Sequence, residues 1–547
     1  MDHLSGLDAA FLHLETPETP LHVGSLSMYE LPPEYQGDFV ADVCKHIQSR
    51  LHLAPIFQRK LVNMPFDLAN PVWVMDEHLD IEHHIRHVIV PPPASRAQVD
   101  RLVSRIHSSL LDRSRPLWEM YVLDGLPTPP DAPKGTRYVG LYSKFHHAGL
   151  DGMGGQVLMA AIMDTTPEPR TVKPPKTRRS STGEHFGIAE LAGSGVKHNF
   201  VQTVKLAKTL PGLVMTARRA MRPAKVAGET KTATEKARWF APRTPLNVAI
   251  TNQRSFARFS IPISEVKEIT AINKVSLNDV VMGISSEGMQ RYLADMDCRP
   301  TSPLLAAVPV SLRPEGNTDM TNQVSMARMS LASTIKDPIE RLHAIRGSSE
   351  GVKAVISEMK TLLPTDFPSL GAPWMFSALA NVLARSRLAN SMPAFANVVI
   401  SNVPGPNITL YFAGAKQIST YPVSIPYHGM ALNITLQSYN GWLDFGLIGC
   451  RRAMPDIADL GKYMQAAHVE LLQRSREVAA ATASEAPAKS AQKITKPASA
   501  KKTSKPKTKA KAKPKPKTKA NPKPKPKPKP KPKPKPKAKT KAKTKAK

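Results

Sequence analysis

The sequence predicts an α/β protein built in two halves, on three observations. Its 547 residues exceed the length at which one hydrophobic core normally keeps growing, so two folded domains with further segments are expected. The run Tyr138 to Phe145 is rich in β-formers and passes through a loop into helical apolar spacing from Gln156 to Met163; a similar strand, Phe256 to Ile261, opens the second half. Between them, from about Thr165 to Pro245, the composition shifts to proline, lysine and arginine, starting with Pro167, Pro169, Pro174 and Pro175. The expected divisions are an N-terminal domain at 1–165, a crossover linker at 166–245, a C-terminal domain at 246–480 and a tail at 481–547.

The elements follow from local pattern. Ala97 to Leu111 is amphipathic, with Val99, Leu102, Val103, Ile106 and Leu110 on one face. Gly152, Gly154 and Gly155 read as a break between the strand ending at the two histidines and the next helix. His146 to Gly152 therefore falls on a connecting loop, where catalytic groups are commonly carried. Ser276-x-x-Asp279 reads as a helix N-cap with an acid in the first turn, and Ser401 to Pro406 as a turn centred on Pro-Gly.

Charge is distributed unevenly. The formal net charge is +32, yet residues 501–547 hold 23 lysines and no acid, leaving +9 for the first 500 residues. Strict Pro-Lys alternation from Pro522 to Lys537 removes backbone donors and brings like charges together, so this tail is expected to be extended and disordered. It is a candidate anchor for polyanions, either anionic lipid or nucleic acid, the plainer reading being a solubilising appendage. In the linker, Phe186 to Ala220 shows helical apolar spacing with Lys197, Lys205, Lys208, Arg218 and Arg219 among the apolar residues. That pattern suits a helix on an anionic membrane surface, and equally one docked on the protein's own core.

The hydrophobic fraction is 41%, and no stretch of eighteen apolar residues is free of charge, so no transmembrane helix is expected. The start, Met1-Asp2-His3, lacks the basic and apolar regions of a secretory signal. Cys44, Cys298 and Cys450 fit neither a disulfide framework nor a zinc site, and a reducing, intracellular setting is expected.

Potential chemistry concentrates in Lys144-Phe-His-His-Ala-Gly-Leu-Asp-Gly152. Histidine is the side chain best suited to take a proton from a hydroxyl near neutral pH and return it to a leaving group. At a strand end neighbouring side chains point to opposite sides, so His146 and His147 should do different jobs. Asp151 is near enough to orient a ring or brace the loop, and Gly152 lets backbone approach closely. Two histidines and one aspartate are no metal signature, and neither Gly-x-Ser-x-Gly nor a reactive-cysteine pattern is present. The pair His83-His84 shows that adjacent histidines alone carry little weight.

His-His-x-x-x-Asp-Gly at 146–152 matches the active-site motif of the superfamily of chloramphenicol acetyltransferase, carnitine acyltransferases and peptide-synthetase condensation domains. Further segments resemble the bacterial wax ester synthase/diacylglycerol acyltransferase family: Leu4-Ser-Gly-Leu-Asp-Ala-Ala-Phe-Leu-His-Leu-Glu-Thr-Pro17 with Leu21-His-Val-Gly24, then Ser114-Arg-Pro-Leu-Trp-Glu119, Ser276-Leu-Asn-Asp-Val280 and Ser401-Asn-Val-Pro-Gly-Pro406. The resemblance spans about residues 1–475 and leaves the tail unexplained.

The resemblance implies two CoA-dependent acyltransferase-like domains with the active site in a channel between them, joined by a helical linker. His147 would be the general base that activates an acceptor hydroxyl against an acyl-CoA thioester, with no acyl-enzyme. Asp151 would organise the loop and His146 would support it. Pro116, Leu117 and Trp118 read either as core or as channel lining. Asn278 is carried as an oxyanion or loop-stabilising donor and Asp279 as its substrate-side neighbour. No metal and no cofactor is expected beyond long-chain acyl-CoA as co-substrate, with diacylglycerol or a fatty alcohol as acceptor. Competing readings are transfer from a carrier-protein thioester and an inactive coat protein of lipid bodies. The expected location is cytoplasmic, peripheral to the inner membrane or lipid droplets, with Phe186 to Ala220 as a contact and Leu370 to Phe395 as a second candidate whose composition suits a buried helix better.

Overall fold

A computed structural model describes residues 2–64, 69–128, 132–133, 135–150, 152–174, 240–311, 324–360, 390–391 and 393–491, with positions 193 and 204. Asp151, nearly all of Phe186 to Ala220, most of Leu370 to Phe395 and the chain beyond Ala491 lie outside that description.

The first unit, Met1–Ala486, contains two six-stranded mixed sheets. In the first, the strands run in the order Tyr411–Phe412, Ala415–Val423, His22–Glu30, Tyr138–His146, Trp118–Leu126, Ile85–Ile89. In the second the order is Val324–Ser330, Leu305–Ser311, Val398–Val403, Leu432–Tyr439, Trp442–Cys450, Arg254–Pro262. A small sheet joins Asp2–His3, Val72–Met75 and Arg59–Val62. The fold is thus mixed α/β with two sheet-rich halves. The second unit is Pro487–Lys547, of which the description reaches Ala491.

The Tyr138–His146 strand is central and mostly buried, as its nearly continuous run of large side chains requires. Its neighbours are in antiparallel register, His22 opposite His146 and Trp118 opposite Phe145. Strand Ala415–Val423, far away in sequence, extends this sheet by pairing with His22–Glu30. The two sheets meet at Asp444, whose carboxylate accepts from Ser260 Oγ at 2.6 Å and from the Thr420 amide at 2.8 Å. Burial raises the Asp444 carboxyl to about 6, with those hydrogen bonds opposing.

Helices cover the sheets. Arg96–His107 opens with a capping box, Ser95 with Gln98. Its C-terminal end is closed by Lys144 Nζ, 3.5 Å from Ile106 O and 3.2 Å from Ser109 O, and by His22 Nε2, 2.8 Å from His107 O. Leu110, expected on the helix face, therefore falls beyond the helix and is exposed. On the second sheet, Leu277–Asp295 and Ile457–Ala491 pack so closely that a Cβ at Gly288 would collide with Met464.

Two local expectations change. The glycines at 152, 154 and 155 do not break the chain; the helix Gly152–Ile162 starts on them. The amides of a first turn have no intrahelical partner in any case, so glycine is tolerated there better than in a helix interior. His83 and His84 sit in a helical turn, Ile81–His84, capped by Asp80, which leads directly into the strand Ile85–Ile89. The last helix continues to Ala491, ten residues past the expected start of the tail, through the alanine-rich run 479–486.

Candidate active site

The histidine motif is positioned by the strands on either side of it. His146 donates its amide to Leu117 O at 3.0 Å, and His147 donates to Leu21 O at 2.9 Å. Beyond that bond the chain turns, with the Gly149 amide returning to His146 O at 3.1 Å. The two histidines part as alternation requires: His146 is fully buried and His147 is partly exposed.

His146 is braced on both ring nitrogens. Nδ1 accepts the Ala148 amide at 3.1 Å, which leaves its proton on Nε2, and Nε2 lies 3.3 Å from Glu15 Oε1. Glu15 also accepts from the Leu21 amide at 2.9 Å and from Arg113 at 2.8 and 3.2 Å. Burial alone would raise the Glu15 carboxyl, but His146, Arg113 and Leu21 together lower it to about 2. His147 instead stacks flat on Phe11, ring centroids 4.2 Å apart and 9° between planes. Phe11 comes from the helix Gly6–Leu14, which Ser5 caps and which packs against Leu117 and Ala148.

A second buried pair involves Lys144, two residues before the motif. Lys144 Nζ is 2.8 Å from Glu119 Oε2, and the two residues oppose each other across the strands. Burial opposes ionisation of Glu119, but Lys144, Tyr121 and Arg86 hold its carboxyl below the ordinary range. Beside it, His22 and His107 are buried edge to face, 4.6 Å between centroids. Burial drives His107 down to about 3 and His22 well below the usual imidazole range, with neighbouring cations adding to both.

The C-terminal segments approach through the helix that follows the motif. Gln156 Nε2 donates to Pro404 O at 3.1 Å. Gly405 is obligatory there, because a Cβ would collide with Ser438 O while its amide donates to Ser438 Oγ at 2.9 Å. Two residues upstream of Pro404, Asn402 Nδ2 donates to Asn278 Oδ1 at 2.7 Å. That bond orients the Asn278 amide, leaving Nδ2 as its free donor on an exposed side chain. Asp279 is 2% exposed and engaged in a cap, its Oδ2 accepting from the Ser276 amide at 2.8 Å and Ser276 Oγ at 2.7 Å.

Pro116 and Leu117 line the back of the histidine loop as buried residues. Trp118 is wholly buried: its indole N–H donates to Phe57 O at 3.1 Å and its ring stacks on His84 at 4.4 Å. Those are the surroundings of a core anchor. Gly152 begins the next helix, and Asp151 lies outside the described residues. The residues that sequence reasoning passed over are Glu15, Arg113, Gln156 and Asn402, together with the Lys144–Glu119 pair. Charged residues inside apolar strand runs were a usable signal for that pair. Glu15 stands in the opening segment that carries the family resemblance, but 131 positions separate it from His146, so no short-range pattern pairs the two.

Family models match the chain in two parts, the wax ester synthase/diacylglycerol acyltransferase catalytic domain over residues 4–281 and the C-terminal domain of the same family over 320–471. The chain belongs to the wax ester synthase/diacylglycerol acyltransferase family. A chain of Mycobacterium tuberculosis named as a diacylglycerol O-acyltransferase is 34% identical over 471 residues, covering 86% of this chain and 99% of its own length. A Mycobacterium bovis relative of the same designation is 34% identical over 467 residues, covering 84% and 88%. The solved wax ester synthase/diacylglycerol acyltransferase of Marinobacter aquaeolei VT8 superposes with a TM-score of 0.60 at 30% identity, covering 86% of this chain and 99% of that one. The protein is accordingly an acyltransferase, a class of enzyme that works on an acyl donor and an acceptor.

Proposed function

We propose that the protein moves a long acyl chain from acyl-CoA to the hydroxyl of diacylglycerol, and also of long-chain fatty alcohols, with His147 as general base. The observation that carries this is the division of labour between the two histidines. His146 is wholly buried, its Nδ1 accepting the Ala148 amide and its Nε2 3.3 Å from the Glu15 carboxylate, while His147 is partly exposed and stacks on Phe11. His147 takes the proton of the acceptor hydroxyl as the oxygen attacks the thioester carbonyl. The tetrahedral oxyanion then collapses, the C–S bond breaks, and the departing CoA sulfur receives the proton from His147. Asn278 Nδ2 is the proposed oxyanion donor. Asp151 and Gly152 shape the loop, His146 braces it, and Pro116 and Leu117 form the wall behind it. No metal and no further cofactor takes part.

The acceptors are poorly soluble, so the enzyme works at the surface of the inner membrane or of lipid droplets on the cytoplasmic side. Among the described residues no helix is long and apolar enough to cross a membrane. The basic linker stretch Phe186 to Ala220 is the proposed surface contact, with the lysine tail adding affinity for anionic lipid or nucleic acid.

The test is purified protein with radiolabelled palmitoyl-CoA, offered diacylglycerol or hexadecanol in parallel. Labelled triacylglycerol or wax ester is expected, and His147→Ala should lower the rate at least about a hundredfold. A folded His147→Ala variant with parental turnover would refute the mechanism.

A further inference from the structure

Away from the histidine loop, two adjoining cavities of about 600 and 610 Å³ share one residue, Arg243. Arg452 and Asn390 line the first, and Arg299 and Phe240 line the second. Among the described residues no acidic one lines either cavity. All three arginines are exposed, and Arg243 and Arg299 have no ion-pair partner among the described residues.

Asn247, which lines the first cavity, is tied to Asn397 in the interior. Asn247 and Asn397 are 3% and 0% exposed. Asn247 Oδ1 accepts from the Thr244 amide at 3.1 Å, from Thr244 Oγ1 at 2.8 Å and from Asn397 Nδ2 at 2.9 Å. Asn397 Nδ2 also donates to Pro242 O at 2.7 Å. The residues on both sides of Arg243 are therefore tied into the interior while its side chain stays outside. Asn390 Oδ1 accepts the Ala249 amide at 2.6 Å, and Arg452 donates to Ala249 O at 2.6 Å, which fixes the opposite wall. The cleft opens beside Asn397, which immediately precedes strand Val398–Val403, whereas Asn402 and Pro404 lie at the other end of that strand.

Guanidinium groups with no competing acid among the described lining residues match the oxygens of phosphate esters and anhydrides. Phe240, 53% exposed, adds a flat apolar face beside Arg243 and Arg299, a surface on which a base can stack. Each cavity lies in the volume range of small-ligand sites. We propose that the Arg243 cleft is a binding site for a nucleoside phosphate, with Arg243, Arg299 and Arg452 on the phosphates and Phe240 against the base. The shared chemistry admits a free nucleotide or the nucleotide end of coenzyme A; the second case rests on the acyl-CoA reading above, and the first does not.

The test uses the full-length chain and reads arginine modification by phenylglyoxal, peptide by peptide, in a mass spectrometer. The lysine tail binds anions but contains no arginine from residue 477 onward, so it leaves this readout untouched. ADP, coenzyme A, inorganic pyrophosphate and vesicles of phosphatidic acid are the probes, and the exposed Arg101 and Arg105 are internal references. ADP or coenzyme A is expected to slow modification of Arg243 and Arg299 at least about threefold relative to the references, and more strongly than pyrophosphate does. Phe240→Ala should weaken ADP protection while leaving that by pyrophosphate unchanged. Protection by coenzyme A alone assigns the site to the acyl donor, and protection by both assigns it to nucleotides generally. Equal modification of Arg243 and the references with both nucleotides overturns the proposal, as does protection by phosphatidic acid vesicles alone or a Phe240→Ala variant with parental ADP protection.

Discussion

Replacing Glu15 by glutamine removes one buried charge and leaves the shape of the side chain. The Glu15 carboxyl stands at about 2 against an ordinary value of 4.5, despite a burial that acts in the other direction. A difference of about 2.5 units corresponds to roughly 3 kcal/mol of folded-state stabilisation of the carboxylate. Because the folded value is depressed, that stabilisation is complete above pH 4.5 and is lost as the pH falls from there through about 2. Glutamine keeps an acceptor for the Leu21 amide but no charge for His146 and Arg113, so the expected loss at pH 7 is about 2–3 kcal/mol. Two sheets need not open together, which makes hydrogen exchange of the peptides spanning residues 8–22 and 140–150 the appropriate measure. Their exchange in Glu15→Gln should be about thirty- to a hundredfold faster at pH 7, and the gap from the parent should narrow towards pH 3. Acyl transfer should fall with it, though less than in His147→Ala, because Glu15 acts through His146 rather than on the substrate. Exchange within twofold of the parent at pH 7, or a gap that does not narrow in acid, would refute the reasoning.

Three further outcomes are expected. His83→Ala should leave acyl transfer near the parental rate, while His84→Ala should lower thermal stability by removing the ring stacked on Trp118; initial rates and melting curves on purified variants separate the two effects. Treatment with a chelator should not change turnover, since among the described residues no group of three or more histidine, cysteine or acidic side chains could hold a metal, and a loss restored by zinc would contradict the proposed chemistry. Deleting residues 485–547 should keep turnover on detergent-dispersed acceptor while reducing sedimentation with anionic vesicles, and vesicle binding by the intact protein should weaken steeply with salt.

What was legible in the sequence was what short-range pattern encodes. The strand run ending at His146, the loop, the following helix and the Ser276–Asp279 cap all stand close to where spacing and capping chemistry put them. The glycine trio was misread because local propensity was the only guide at those positions. The supports of the site are non-local. Glu15 reaches His146 across 131 residues, Gln156 reaches Pro404 across 248, and Asn402 reaches Asn278 across 124. Each of these contacts depends on strand order, which periodicity does not report.

Register explains why some of these partners were nevertheless within reach. Once Trp118–Leu126 and Tyr138–His146 are paired antiparallel, Glu119 must stand opposite Lys144, and two opposite charges in otherwise apolar strands become a buried pair. The same pairing with His22–Glu30 puts His22 opposite His146. A one-residue slip in either ladder would send His146 outward and His147 into the core. The Lys144–Glu119 pair opposes that slip, since it would leave each charge buried without its partner. The residues flanking the motif thus decide which of its two histidines turns inward and which stays partly exposed.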